Sequence, residues 1–140
     1  MSKSKKNIFV PMVADLFHWG HVKFLKEIRK KYPKENIIIG LITDDVCASY
    51  KRKPIMNYDE RKIVLESCKY VDKVINFSKL EITMDFLKKN NLDLVVHAHN
   101  KEEHEKYSIF WKNIQNNFVR MDYNNGISTT DIIKRVKDRI

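Results

Sequence analysis

The sequence predicts an α/β fold: a Rossmann-like three-layer α/β/α arrangement around a mostly parallel sheet of about five strands. Short apolar runs of strand length recur along the chain, and stretches with helical spacing separate them. The apolar runs also lack the polar alternation of a half-exposed sheet. A strand covered by helices on both faces reads this way, because both sets of its side chains are buried.

The first strand is Ile8-Phe9-Val10-Pro11-Met12-Val13 and the second is Ile37-Ile38-Ile39-Gly40-Leu41-Ile42. Residues 71–77 give a third, 92–96 a fourth, and 117–121, with Phe118 and Val119, a weaker fifth. Val22, Leu25, Ile28 and Tyr32 form one helical stripe between them, and Leu80, Met84 and Leu87 another. Ile63, Val64, Ser67, Cys68 and Val71 continue the pattern, and Ile132, Val136 and Ile140 close it. After the second strand, Tyr50-Lys51-Arg52-Lys53-Pro54 reads as a basic loop. Asn57 is then a candidate N-cap with Glu60 at the third helical position. With no internal repeat and no linker, residues 1–6 are expected to form a basic tail and residues 7–140 a single domain.

A chain of 140 residues holds one core, and 43% hydrophobic content is enough to fill it. Three Gly and three Pro exclude a fibrous or low-complexity chain. No apolar run approaches the ~20 residues a membrane-spanning helix needs. The charged start Met1-Ser2-Lys3-Ser4-Lys5-Lys6 has no apolar core behind it and no small-residue cleavage site, so a secretory signal is not expected. Cys47 and Cys68 form no C-x-x-C, which fits a reducing cytoplasm as the expected compartment. A net charge of +9 favours an anionic partner: nucleic acid, an acidic surface or a nucleotide. Lys3, Lys5 and Lys6, and Lys134, Arg135, Lys137 and Arg139, read as a tail and a solvated helix face. No aromatic-basic groove motif supports a nucleic-acid partner.

In an open parallel sheet, ligands bind beyond the carboxyl ends of the strands. Asp15-Leu16-Phe17-His18-Trp19-Gly20-His21 follows the first strand and opens the first helix. His18 and His21 fall on one side of its first turn. Gly20 removes a side chain where a ligand would approach. The helix start adds free N–H groups and partial positive charge. The same spacing also suits a partly buried surface pair. Gly126-Ile127-Ser128-Thr129-Thr130-Asp131 opens the last helix, with a tight turn at Gly126 and Ser128 as N-cap. It reads either as a well-capped helix or as a hydroxyl-rich grip for the far end of a polyphosphate. His97-Ala98-His99, with His104 and Glu102, Glu103 and Glu105 nearby, has a spacing open to metal binding, to contact with an acceptor or base, or to plain surface. Trp111, with Phe110 and Ile109, reads as core or interface. Tyr107 receives no role.

Asp15-x-x-His18-Trp19-Gly20-His21, Lys53, Tyr58-x-x-Arg61-Lys62 and Gly126-Ile127-Ser128-Thr129-Thr130 occur in the order and spacing of the HxGH nucleotidyltransferases. Residues 58–75 (YDERKIVLESCKYVDKVI) resemble a YExRKxxLExxxYVDxVI stretch of the cytidylyltransferases for glycerol phosphate, ethanolamine phosphate and choline phosphate. Residues 40–53 and 11–15 look more like cytidylyltransferase modules associated with phosphonate formation. The resemblance covers residues 7–137. It departs where the family often has Gly-Thr-Phe-Asp and this chain has Met12-Val13-Ala14-Asp15. It departs again where Tyr123-Asn124-Asn125 replaces Arg-Thr-Glu, and where Ala98-His99-Asn100 replaces Gly-Asp-Asp.

What the resemblance implies is a cytidylyltransferase: CTP and a small phosphorylated alcohol, or a phosphonate, giving a CDP-alcohol or CMP-phosphonate and pyrophosphate. It implies catalytic roles for His18, His21 and Lys53. It implies nucleotide binding by Val13, Ala14, Gly20, Gly126, Ile127, Ser128, Thr129 and Thr130, and acceptor binding by Asp15, Arg61 and His97. Mg²⁺ is expected to be carried mainly by the triphosphate, with no metal ligands from the chain. A homodimer is expected. An adenylyltransferase of the same fold and a non-catalytic nucleotide-binding relative are the alternatives.

Overall fold

The computed structural model describes residues 5–99, 108–122 and 127–140. The strands β1 (Asn7–Met12), β2 (Asn36–Ile42), β3 (Lys73–Phe77), β4 (Leu94–Ala98) and β5 (Phe118–Met121) all pair in parallel. Their order is β3-β2-β1-β4-β5, so the direction of winding reverses between β1 and β4. In such a sheet the crevice at that reversal, on the carboxyl side, is where a ligand fits.

The helices are α1 (Trp19–Lys31), α2 (Asp44–Tyr50), α3 (Tyr58–Glu66), α4 (Met84–Lys89) and α5 (Thr129–Arg139), with two 3₁₀ turns at Ser108–Phe110 and Lys112–Asn117. Alternation along the strands divides the core between the two sheet faces. Ile8, Val10, Ile37, Ile39 and Leu41 pack with Leu25 and Ile28 of α1 and Leu65 of α3. Phe9, Ile38 and Ile42 pack with Cys47 of α2, Leu87 of α4, Trp111 and Ile114. Gly40 allows the second packing, since a Cβ there would lie 2.2 Å from the Phe9 ring. These two faces make the expected three layers.

The structure differs from the sequence expectation at several element boundaries. β4 runs to Ala98, which brings His97 into the sheet opposite Arg120 of β5. α3 ends at Glu66, and its inward residues are Arg61 and Leu65, whereas Ile63 is 65% exposed. α2 was not expected. It is seven residues long with one buried side chain, Cys47, so it carries no stripe for periodicity to detect. Among the described residues no helix is long and apolar enough to cross a membrane.

Candidate active site

The chain leaves β1 through a turn in which Ala14 (φ 54°) and Leu16 (φ 50°) sit in the left-handed region. Side chains disfavour that region by about 1–2 kcal/mol per residue, so surrounding contacts must hold the turn. Asp15 supplies two of them. Its buried carboxylate accepts the N–H groups of Ile55 (2.8 Å) and Met56 (2.9 Å), tying this turn to the loop before α3.

His18 is the N-cap of α1, and the histidine pair is its own capping box. The Nδ1 atom of His18 accepts the Gly20 N–H (3.1 Å), and the Nδ1 atom of His21 accepts the His18 N–H (3.1 Å). Each Nδ1 is therefore an acceptor, which fixes the proton of each neutral ring on Nε2. Burial pushes the His21 imidazole down to about 3, helped by His18 and Lys51, and burial also lowers His18. Both rings are thus neutral Nε2–H donors near pH 7. Gly20 also makes room inside the protein. A Cβ at this position would meet the His18 ring at 2.9 Å and Ile127 Cγ2 at 3.0 Å, so the missing side chain makes room for protein atoms.

Ser128 caps α5 by accepting the Asp131 N–H (3.1 Å), while the Asp131 carboxylate accepts the Ser128 N–H (3.0 Å). The start of α5 meets the start of α1 directly. His18 Nε2 lies 3.3 Å from Thr129 Oγ1, and Thr129 donates in turn to the Asp15 carbonyl at 3.1 Å. With its proton on Nε2, His18 is the donor to Thr129. The two helix N-termini therefore converge, and both present N–H groups and partial positive charge.

A cavity of about 400 Å³ opens where they meet. Of the residues expected at the site, Val13, Ala14, Asp15, His18, Gly20 and His21 line it. So do His97, Ile127, Ser128, Thr129 and Thr130. Gly126 lies outside the described residues. Two expected residues are not part of the wall. Lys53 is exposed and does not line the cavity. Its neighbours Lys51 and Arg52 do, and Arg52 Nη1 donates to Thr130 Oγ1 at 3.3 Å. Three consecutive cations looked alike in the sequence. Which of them reaches the site depends on where α2 ends, and α2 carried no sequence signal.

Arg61 requires a correction. It was expected to hold the acceptor phosphate, but its side chain is completely buried. The guanidinium donates to the carbonyls of Met56 (3.0 Å), Val13 (2.7 Å) and Ile42 (3.0 Å) and pairs with Asp44 Oδ1 (2.5 Å). Its donors face protein acceptors on four segments of the sheet's carboxyl edge. Arg61 is the tie that holds the strained turn, the end of β2, α2 and the loop before α3 in one frame.

On the β4 side, His97 Nδ1 lies 2.7 Å from Nδ1 of His99, and His99 is 1% exposed and stacked on Trp111 at 4.7 Å. Burial pushes His97 down to about 3, with His99 and Lys51 acting the same way. This half of the cavity wall is largely aromatic. Trp111 is buried and stacks further on Phe118, which places it in the core. Among the described residues no three His, Cys, Asp or Glu side chains converge to hold a metal ion. His104, Glu102, Glu103, Glu105, Tyr107 and Asn100 lie outside them.

A strand, a turn ending in paired imidazoles and a hydroxyl-capped second helix surround one cavity at the carboxyl edge of an α/β sheet. The cytidylyltransferase-like family matches residues 13–135, and the chain belongs to that family. Choline-phosphate cytidylyltransferase 2 of Arabidopsis thaliana is 31% identical over 134 residues, 92% of this chain and 44% of the plant protein. Ethanolamine-phosphate cytidylyltransferase of Mus musculus is 39% identical over 93 residues, 65% of this chain and 23% of that protein. The chain thus spans less than half the length of these relatives. A lipopolysaccharide core biosynthesis protein from Thermoplasma volcanium shares the fold, with TM-score 0.67 and 19% identity over 87% of this chain and all of the other.

Proposed function

We propose that this chain transfers CMP from CTP to a small phosphorylated alcohol or a phosphonate, releasing pyrophosphate. The observation that supports this most is the 3.3 Å approach of His18 Nε2 to Thr129 Oγ1, which joins two anion-seeking helix starts at one cavity. In this reading an oxygen of the acceptor's phosphate or phosphonate attacks the α-phosphorus of CTP. The bond from that phosphorus to the bridging oxygen breaks, and its electron pair leaves with pyrophosphate. The nucleophile is already an anion, so no general base is needed; the protein contributes placement and charge stabilisation.

His21 donates from Nε2 to the α- and β-phosphate oxygens, and His18 does the same by exchanging its Thr129 partner for phosphate when the nucleotide enters. Lys51, on the cavity wall, takes the charge-neutralising role expected of Lys53. The starts of α5 and of the turn after β1 hold the nucleotide through Ile127, Ser128, Thr129, Thr130, Val13 and Ala14. His97 faces the acceptor side. Asp15 acts as a positioning residue, because its carboxylate is committed to the Ile55 and Met56 N–H groups. Mg²⁺ enters with the triphosphate, whose oxygens are the hard ligands it prefers. A homodimer is the working form we assign, and the mass of the chain in solution tests it.

The test is pyrophosphate release from CTP, ATP or GTP with glycerol phosphate, phosphoethanolamine, phosphocholine and aminoethylphosphonate. Turnover that requires CTP and one of these acceptors supports the proposal. Turnover with ATP alone makes the chain an adenylyltransferase. CTP binding without turnover on any acceptor makes it a nucleotide sensor.

A further inference from the structure

We infer that Arg52 is the cation that binds the far, pyrophosphate end of the triphosphate. The inference rests on the nucleotidyl-transfer reading and assigns one residue within it. A triphosphate brings several negative charges, and most of the wall cannot answer them with a full positive charge. The imidazoles of His18 and His21 are neutral near pH 7, since burial lowers both. The start of α5 offers hydroxyls and the partial charge of a helix end, with the Asp131 carboxylate in the same first turn working against an anion. The sequence before it, Tyr123-Asn124-Asn125, contains no cation. Among the described residues that line the cavity, the cationic side chains are Lys51 and Arg52.

Of these two, Arg52 is the one joined to α5, through Nη1 to Thr130 Oγ1 at 3.3 Å. Its backbone is held before any ligand arrives. The Cys47 thiol donates to the Arg52 carbonyl (3.2 Å), and the Lys51 N–H donates to the Cys47 carbonyl (3.0 Å). Further along, Asp15 holds Ile55 and Met56. A guanidinium has five N–H donors, and the Thr130 contact uses one nitrogen, which leaves a fork suited to phosphate oxygens. Such a group, fixed beside the α5 start, meets the β- and γ-phosphates and stabilises the negative charge that pyrophosphate carries away as the α-phosphorus–oxygen bond breaks.

Calorimetric titration of the full chain with CTP, CMP and inorganic pyrophosphate tests this. Arg52→Gln keeps a donor for Thr130 and removes the charge, while Arg52→Lys keeps the charge and loses the fork; melting temperatures report whether each variant folds. Arg52→Gln is expected to weaken CTP and pyrophosphate at least about tenfold, the usual worth of a charged hydrogen bond, and to leave CMP affinity unchanged. Arg52→Lys is expected to recover part of that loss. Unchanged CTP affinity in Arg52→Gln, or equal losses for CTP and CMP, would overturn the assignment and leave the functional reading standing. A wild-type chain that binds none of the three ligands overturns both.

Discussion

At the scale of single residues, the site depends on imidazoles that stay neutral. In the proposed reaction His18→Ala or His21→Ala removes one Nε2–H donor to the phosphates, and turnover is expected to fall by roughly 10²–10³. Each also breaks half of a capping box, so a stability loss of about 1 kcal/mol accompanies it, visible by urea unfolding. Full turnover in both variants would refute the roles assigned to the pair. Acid sensitivity follows from the same burial. In the unfolded chain a histidine binds its proton near pH 6.5, whereas folded His21 and His97 resist protonation down to about 3. Between those values the unfolded state holds more protons. The stability contribution is therefore complete above about pH 6.5 and is lost as the pH falls towards 3, at up to about 1.4 kcal/mol per pH unit for each ring. Urea midpoints measured at stepped pH should fall across this window, and His97→Gln should flatten the fall; an unchanged slope would contradict the assignment. The pair itself was legible in the sequence as H-x-G-H. The reason for Gly20 was not, because its neighbours, His18 and Ile127, meet only in the folded chain.

At the scale of elements, Arg61 joins the segments that carry the site. Arg61→Ala leaves three carbonyls without their Arg61 donor and Asp44 without its ion-pair partner, and it is expected to cost at least about 3 kcal/mol by urea unfolding. A change below about 1 kcal/mol would show that the tie is dispensable. An acceptor-binding arginine would instead give lost turnover at intact stability, so the two roles separate experimentally. Gly20→Ala tests how α1 and α5 fit together. A methyl at 2.9 Å from the His18 ring must disturb the ring that lies 3.3 Å from Thr129, so turnover is expected to fall further than the melting temperature suggests. The capping box of α3 and the Ser128 cap of α5 were legible because they are local signals, Asn57 with Glu60 and a hydroxyl at a helix start. α2 was not legible, and with it went the means to tell Lys51 and Arg52 from Lys53. Arg61 misled for a related reason: a cation beside a candidate anion site looks the same in sequence whether it faces the cavity or the frame behind it.

For the whole molecule, the sheet could be read before its order was known, because buried parallel strands are written as nearly unbroken apolar runs such as residues 37–39. Adjacency could not. Nothing local places β4 beside β1, yet that pairing puts His97 and the α1 start on one cavity. The proposed reaction requires the starts of α1 and α5 to close on a single triphosphate, with Lys51 and Arg52 at its side. A crystal structure of the chain with CTP bound tests it most directly. The expected result is α- and β-phosphate oxygens within hydrogen-bond distance of the Nε2 atoms of His18 and His21, and the terminal phosphates against Thr129, Thr130 and Arg52. Phosphates seated away from either helix start would contradict it.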